Sequence, residues 1–295
     1  MIALTAGDWR ATLAPEQGGA VLSLDWRGRP VFRSTPEGAT DILETACFPL
    51  VPYANRIADG RFVFEGREVR LQTLERFAPH ALHGDGWLLP WTVESQTTNR
   101  VEMTLEWFPK ADADAQGWPW PWRASQTVEL SDQGLTITLS VTNFGDAVMP
   151  AGLGLHPYFH RHADSRLTLS AEGVWITDVR EIPERLAPPT EIADWSNSLT
   201  LADAPFVDHA YVGWTGEAVM DGGGQRIIMT ADAPARWTQV YAPKGADFFC
   251  VEPVTHCPDA FNGPSSWGNS ANGLIALQPG EKLTLHMTVS ASAHA

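Results

Sequence analysis

The feature that most constrains the fold of this chain is an alternation of apolar and polar side chains with a period of two residues. It is clearest at residues 135–141, where four apolar side chains alternate with hydroxyl-bearing ones. The same alternation recurs at residues 101–107 and 283–289. Because successive side chains of a β-strand point to opposite faces, each segment predicts a strand with one buried face.

Turn residues separate several of these segments and predict β-hairpins. An Asp-Gln-Gly sequence at residues 132–134 lies between residues 127–130 and the strand predicted at 135–141. A Glu-Gly pair at residues 65–66 separates two further apolar segments. Helical periodicity is weak, and 22 prolines with 25 glycines interrupt most candidate helices. The sequence therefore predicts an all-β fold of many short antiparallel strands, and both a sandwich and a barrel fit that pattern.

The composition indicates an ordinary globular protein. Hydrophobic residues make up 44% of the chain and charged residues 19%. With 295 residues, the chain is long enough to bury a large core. No linker-like tract marks a boundary, so we expect one domain over residues 1–295. The polar, proline-containing stretch at 181–203 is interpreted as a long excursion from that domain and not as a linker.

Charge and cysteine content exclude several classes of function. A net charge of −15 argues against binding to nucleic acid, whose phosphates require a basic surface, and weakly against anionic membranes. Cys47, Cys250 and Cys257 have neither the number nor the spacing of a disulfide framework or a zinc site. The sequence shows no signal peptide and no apolar run that could span a bilayer. We expect a cytoplasmic protein, either a monomer or a homodimer.

Two distant segments each surround one proton-transfer residue with apolar, glycine and proline neighbours. His156 lies within Leu-Gly-Leu-His-Pro-Tyr-Phe, and Glu252 lies within Phe-Phe-Cys-Val-Glu-Pro-Val. Such surroundings partly desolvate a charge and shift its pKa. If the two residues meet across a cleft, they can act as general acid and general base. The alternative for each segment alone is structural, with a core histidine bound to a backbone carbonyl and a glutamate in an ion pair.

Together with two further motifs, these segments resemble the aldose 1-epimerase family, also called galactose mutarotases. The further motifs are Asn55-Arg56-Ile57, within residues 49–57, and the His83-Gly84-Asp85-Gly86 sequence. The resemblance covers nearly the whole chain, and the four motifs occur in the family's order. It implies a large antiparallel β-sandwich with an open sugar-binding cleft, and interconversion of the α and β anomers of a free aldose without metal or cofactor.

The resemblance also implies a role for each matching residue. Glu252 matches the general base that removes the proton of the C1 hydroxyl, and His156 matches the general acid that protonates the ring oxygen. Sugar-binding roles are implied for the residues in the other motifs and in the Phe-Val-Asp-His-Ala-Tyr segment at 206–211, namely Asn55, Arg56, His83 and Asp208. No metal ligand is expected.

Some residues leave alternatives open. Asp85 stands where many family members have a second glycine, and Trp87, close to His83, is a candidate for a ring that faces the sugar. His256, which follows the Glu-Pro dipeptide, is more readily interpreted as a solvent-facing histidine than as a site residue. The spacing of His156, His160 and His162 weakly suggests metal ligands. The tryptophans at residues 118–122 are expected to pack at a strand entry.

The substrate class is also left open by the sequence. A phosphorylated or sulfonated sugar would require further arginine or lysine residues near the cleft, so a neutral aldose is favoured over these anionic sugars. A non-catalytic sugar sensor is a third possibility, but it would be expected to lack Glu252 or His156. If both groups act, we expect the carboxylate to raise the pKa of His156, and apolar surroundings to raise that of Glu252.

Overall fold

The computed structural model describes residues 1–109, 117–263 and 272–294, and antiparallel strands dominate these ranges. The 3-10 helices with defined bounds are three residues each, at Ile42–Glu44, Ala58–Gly60, Glu75–Phe77 and Trp195–Asn197. In chain order, the strands are β1 (Ile2–Ala6), β2 (Trp9–Ala14), β3 (Ala20–Trp26), β4 (Arg29–Pro30), β5 (Pro49–Leu50), β6 (Arg56–Ile57), β7 (Arg61–Phe64), β8 (Arg67–Arg70), β9 (Ala81–Leu82), β10 (Thr92–Gln96), β11 (Arg100–Trp107), β12 (Trp122–Ser131), β13 (Gly134–Asn143), β14 (Met149–Ala151), β15 (Gly154–Leu155), β16 (Tyr158–His160), β17 (Arg166–Leu169), β18 (Gly173–Thr177), β19 (Pro183–Ala187), β20 (Leu199–Thr200), β21 (Val207–Val212), β22 (Glu217–Gly222), β23 (Gln225–Ala231), β24 (Trp237–Ala242), β25 (Phe248–Val254), β26 (Ile275–Leu277) and β27 (Lys282–Ala293).

Two large antiparallel sheets form the body of the protein. In the described residues, one sheet has nine strands in the order β10-β11-β12-β13-β27-β23-β22-β17-β20. The other follows the order β19-β18-β21-β24-β25-β15-β5, with β16 also paired to β25. A smaller sheet of β1 to β4 adds a further layer. The fold is thus the all-β antiparallel sandwich that the family resemblance implied.

The alternation found in the sequence determines which faces of the strands are buried. In β13, Leu135, Ile137 and Leu139 are at most 1% exposed, whereas Thr136 and Thr138 are only half-buried. Leu139 lies opposite Gln126 of β12 and Leu285 of β27. The predicted strands at 101–107, 135–141 and 283–289 and both predicted hairpins are confirmed. Their apolar faces belong to one continuous cluster of buried side chains.

Two sequence interpretations concern segments outside the main strands. The tryptophans at 118, 120 and 122 are buried, which confirms a packing role; the Trp118 ring packs near Tyr53, Phe62 and Phe261, and the Trp120 ring near Phe62. The stretch at 181–203 is less of an excursion than expected, because it contains β19 and β20 and so contributes to both large sheets. Among the described residues, no helix is long and apolar enough to cross a membrane.

The topology brings together parts of the chain that are far apart in sequence. The sheet centred on β24 and β25 carries Asp208 on β21 and Glu252 on β25, and β24 lies between these two strands. His156 lies between β15 and β16, which both pair with β25. Arg56 begins β6, which pairs with β9 just before His83. Pairing between short strands therefore places all four motifs at one end of this sheet.

Candidate active site

A cavity of about 390 Å³ lies over this end of the sheet. Its volume falls in the range of roughly 300–1,000 Å³ that small-molecule sites occupy. All six residues singled out from the sequence line it: Asn55, Arg56, His83, His156, Asp208 and Glu252. The other residues around it are Leu43, Phe77, Leu82, Tyr158, Glu181, Phe206, Gln239, Tyr241 and Phe248.

Glu252 and His156 meet in this cavity. Glu252 Oε1 lies 3.4 Å from His156 Nε2, and the two side chains are only 3% and 9% exposed. The imidazole packs against the rings of Tyr158 and Phe48, with centroids 4.6 and 4.7 Å away. Its Nδ1 makes no hydrogen bond of normal geometry within the described residues.

Burial shifts both members of this pair toward their uncharged forms. Desolvation raises the pKa of Glu252 well above its usual value, with Asp208 adding to the effect and Arg56 opposing it. Desolvation and, as a smaller effect, the nearby Arg33 guanidinium lower the pKa of His156 to about 3. The expectation that the carboxylate would raise the pKa of His156 is wrong. Desolvation is the largest effect on the imidazole, and the Arg33 guanidinium, which stacks 3.5 Å from the centroid of the Tyr158 ring beside it, opposes a second positive charge.

His83 and Asn55 fix one another through reciprocal hydrogen bonds. The Asn55 backbone N–H donates to His83 Nδ1 over 3.0 Å, and the His83 backbone N–H donates to the Asn55 carbonyl over 3.0 Å. Because a backbone amide can only donate, Nδ1 must be the acceptor and the ring proton must lie on Nε2. Both residues have left-handed φ angles, 59° for Asn55 and 62° for His83. The two hydrogen bonds therefore hold a backbone conformation that residues other than glycine rarely adopt.

The segment that carries Asn55 and Arg56 is held by further buried acceptors. The backbone N–H of Ala54 donates to His256 Nε2 over 3.1 Å, and that of Asp59 donates to His80 Nδ1 over 3.0 Å. The Arg56 N–H donates to the Asn55 side-chain oxygen over 2.8 Å. Residues 54–59 therefore owe their shape to side chains from distant parts of the chain. We name this segment the arginine loop.

Two glycines are required where these segments meet. Gly84 has a φ of +71°, and a Cβ there would lie 2.3 Å from the Val51 carbonyl oxygen. A Cβ on Gly152 would lie 2.0 Å from Cδ2 of the His256 ring. Each glycine allows a backbone approach that any other residue would block. These close approaches set the positions of His83 and of the ring that supports Ala54.

Arg56 and Asp208 face each other across the cavity among further polar groups. The Arg56 guanidinium forms an ion pair with Glu181, and Asp208 accepts a hydrogen bond from Gln239 Nε2 over 2.5 Å. Burial raises the pKa of Asp208, which Arg56 and the Gln239 hydrogen bond partly oppose. In the sheet, Gln239 lies directly opposite Glu252. The cavity thus combines the buried Glu252–His156 pair with charged and amide groups that can bind hydroxyls.

Several residues left open by the sequence lie outside the cavity lining. His256 is completely buried, so the solvent-facing interpretation is wrong; its ring accepts from Ala54, and its Nδ1 lies 2.8 Å from the Cys257 carbonyl oxygen. Trp87 is also completely buried and packs against His83 with ring centroids 5.5 Å apart, behind the lining. Asp85 borders a separate, small cavity, where burial raises its pKa to about 6.

The histidines considered as metal ligands are divided between two places. His160 and His162 contact each other with ring centroids 4.6 Å apart, whereas His156 faces Glu252. A different set of possible metal ligands does come together, at His156, Cys250 and Glu252. Each offers one ligand atom, and these three atoms lie within 4.8 Å of one another. All three are buried.

Sequence reasoning missed Gln239, Tyr241 and Glu181. Gln239 and Tyr241 occupy alternate positions of β24, on the face that carries Glu252 in the neighbouring strand. A glutamine on the inward face of a mostly apolar strand was the available signal. Glu181 gave no such signal, because it lies in a turn between β18 and β19 that the sequence treats as part of an excursion.

Comparison with known proteins places the chain in a family. A solved structure from Escherichia coli K12, provisionally named an aldose 1-epimerase, matches 99% of this chain and 98% of its own with a TM-score of 0.86 at 31% identity. A galactose mutarotase-like protein from Clostridium acetobutylicum matches 99% of this chain and 94% of its own with a TM-score of 0.87. At 20% identity, the second likeness shows the fold alone.

Sequence comparison gives the same family. The uncharacterized protein YphB of Escherichia coli K12 is 34% identical over 290 residues, which cover 93% of each chain. The profile of the family described as aldose 1-epimerase matches residues 1–290. The chain therefore belongs to the aldose 1-epimerase family. This membership supports an isomerase that acts on a carbohydrate.

The hydrogen bonding of His83 predicts its titration behaviour. Desolvation lowers the pKa of His83 well below its usual value, and His156 and Arg56 lower it further. We therefore expect His83 to remain a neutral Nε2–H tautomer from pH 8 down through its ordinary pKa of about 6.5. Long-range ¹H–¹⁵N NMR of the imidazole, assigned with a His83→Gln variant, measures this. A midpoint near 6.5, or an Nδ1–H tautomer, would contradict the assigned geometry.

Proposed function

We propose that this protein interconverts the α and β anomers of a neutral free aldose by acid–base opening and reclosure of the sugar ring. The observation that carries the proposal is the 3.4 Å separation between Glu252 Oε1 and His156 Nε2 in a cavity lined by hydroxyl-binding groups. The family membership of the chain supports the same reaction class.

The geometry suits the two oxygens that react. In a cyclic aldose, the C1 hydroxyl oxygen and the ring oxygen are bonded to the same carbon, so the groups that exchange protons with them must lie close together. Glu252 removes the proton of the C1 hydroxyl, and His156 Nε2–H delivers a proton to the ring oxygen. The bond between C1 and the ring oxygen breaks as the carbonyl forms. Rotation about the C1–C2 bond exposes the other carbonyl face, and reversed proton transfers close the ring.

The buried pair is suited to a reaction that runs in both directions. Glu252 and His156 must together hold one transferable proton before and after each turnover. Because burial favours the uncharged forms of both, the empty site keeps this proton mainly on Glu252. Its transfer to His156 as the sugar binds produces the carboxylate base and imidazolium acid that ring opening requires.

The remaining residues position the sugar. His83 presents an Nε2–H donor, because its Nδ1 is occupied by the Asn55 amide. Arg56 donates to hydroxyl oxygens, and Asp208 and Gln239 offer acceptors on the opposite wall. Asn55 acts chiefly by holding the arginine loop, since its side-chain oxygen accepts from the Arg56 backbone.

The structure contains features that disfavour an anionic sugar. Arg76 and Arg180 lie in a groove beside the cavity, yet Arg76 donates to Asp41 through both terminal nitrogens and Arg180 donates to Asp59 over 2.5 Å. Guanidinium groups already paired with carboxylates are poor phosphate or sulfonate ligands. A sensor that has lost catalysis is also less well supported, because Glu252 and His156 lie within reach of each other.

Glu252→Gln is expected to lower kcat by roughly 10²–10⁴-fold while sugar binding persists, because the amide keeps its shape but cannot accept the proton. Polarimetry or NMR exchange between anomers measures the rate, and titration calorimetry measures binding. Glu184→Gln makes the same change on an exposed strand residue outside the cavity and should leave both unchanged. A folded Glu252→Gln protein that works within a factor of a few of the parent would rule out Glu252 as the base.

The rate should follow a bell-shaped pH profile wider than ordinary pKa values of about 4.3 and 6.5 allow. The pair gains a second proton only at low pH, because the pKa of His156 is lowered to about 3, and keeps its last proton to higher pH, because the pKa of Glu252 is raised. Both limbs belong to the pair and not to either residue alone.

His156→Asn separates the two limbs. With the acid removed, the residual rate should rise with pH and level off, because Glu252 alone acts once it loses its proton. Initial rates across the pH range of the folded protein test this. An alkaline limb that survives in this variant would contradict the assignment of His156 as the acid.

Exhaustive treatment with EDTA should leave the rate unchanged, because proton transfer between Glu252, His156 and the sugar requires no Lewis acid. The complementary experiment adds Zn²⁺ to the treated protein and measures the rate again, since His156, Cys250 and Glu252 carry donor atoms of the kinds that bind Zn²⁺. Loss of activity on chelation, restored by a divalent cation, would overturn the proposed mechanism and make these three residues a catalytic ligand set.

A further inference from the structure

Glu181 brings a carboxylate to the cavity from outside the sheet that carries the other acidic residues. It lies in the turn between β18 and β19, has a left-handed φ of 64°, and lines the cavity. The turn is ordered by Asp178, whose Oδ1 accepts from the backbone N–H groups of Arg180 and Ile182. Glu181 therefore reaches the cavity from a defined turn.

Two successive residues of this turn bind the arginine loop. Glu181 forms an ion pair with Arg56, and Arg180 donates to Asp59 Oδ1 over 2.5 Å. The partners stand three positions apart, so the turn is attached to the loop at two points. We name residues 178–182 the acidic turn, after Asp178 and Glu181.

Carboxyl groups outnumber cations around the cavity. Among the described residues that line it, Arg56 is the arginine, whereas Glu181, Asp208 and Glu252 each contribute a carboxyl group. The influence of Glu181 extends beyond its partner, because its charge is among the effects that raise the pKa values of Asp208 and Tyr241. Because Glu181 neutralises Arg56, the carboxyl group of Asp208 determines the sign of the electrostatic potential that a ligand meets in the cavity.

We propose that Glu181 is a specificity-determining residue that selects uncharged aldoses and rejects aldoses bearing a carboxylate, phosphate or sulfonate. This inference rests on the proposed function and deepens it. Glu181 neutralises the Arg56 guanidinium, which would otherwise attract an anionic group. Hydroxyl groups are not repelled, because they accept from the guanidinium and donate to the carboxylates together.

The test compares sugars that differ in charge at a single carbon. D-galactose and D-galacturonate form one pair, and D-glucose and D-glucuronate form the other. Anomerisation rates, corrected for the spontaneous reaction, give kcat/KM for each sugar, and titration calorimetry gives its affinity. The quantity compared is kcat/KM for the neutral sugar divided by kcat/KM for its uronate. Any general loss of activity cancels in this ratio.

Glu181→Gln should lower this ratio by roughly threefold to tenfold, the size expected when one partly exposed charge is removed near a ligand charge. Glu181→Asp retains the charge and should keep most of the discrimination. Glu184→Gln removes the same charge from an exposed position on β19, outside the cavity, and so controls for the overall negative charge of the protein. Its ratio should match that of the parent.

The outcomes separate this inference from the proposed function. An unchanged ratio in folded Glu181→Gln, or an equal change in Glu184→Gln, would overturn the role of Glu181 while leaving anomerisation by Glu252 and His156 intact. A parent protein that binds the neutral sugars more tightly than the uronates without turning them over would support charge selection and refute catalysis. A parent that accepts both classes equally would refute charge selection directly.

Discussion

The buried contact between Glu252 and His156 is the interaction on which the rest of the site depends. Two ionisable groups with exposures of 3% and 9% can share a low-dielectric cavity only if they avoid separated charges in its empty state. One proton kept mainly on the carboxyl group meets this requirement. The surrounding rings of Phe48 and Tyr158 exclude water from the imidazole. The pairing of β15 and β16 with β25 fixes the distance.

The second determinant of the site is the arginine loop, which runs through the short strand β6 into the 3-10 helix that follows it. Its backbone amides find acceptors on the rings of His80, His83 and His256. Neutral imidazoles are used here as hydrogen-bond acceptors, a role that needs no charge and tolerates burial. One consequence is that His256, which lies outside the cavity lining, supports the loop that carries Arg56.

Sequence reasoning anticipated most of the fold and the composition of the cavity, but not how its residues are held. The alternation at 135–141 predicts a strand because burial follows the pleat directly. Motif matching located Glu252 and His156, yet the pKa shift of His156 depends in part on Arg33, which contacts the site through Tyr158. No local pattern reports such a contact. Glu181 was passed over for a similar reason, since a glutamate in a polar turn resembles any solvated charge.

The arginine loop and the acidic turn, which both contribute to the cavity, are held in place by different interactions. They should therefore respond differently to ionic strength. The arginine loop is held by hydrogen bonds to buried side chains, namely the rings of His80, His83 and His256 and the carboxyl group of Asp259, and dissolved ions screen buried groups little. The acidic turn is attached through the pairs Arg180–Asp59 and Arg56–Glu181, and three of these four side chains are about half exposed. At molar salt the screening length falls to about 3 Å, so these attachments weaken while the loop keeps its shape. Salt is therefore expected to loosen the attachment of the acidic turn while it leaves the buried contact between Glu252 and His156 in place.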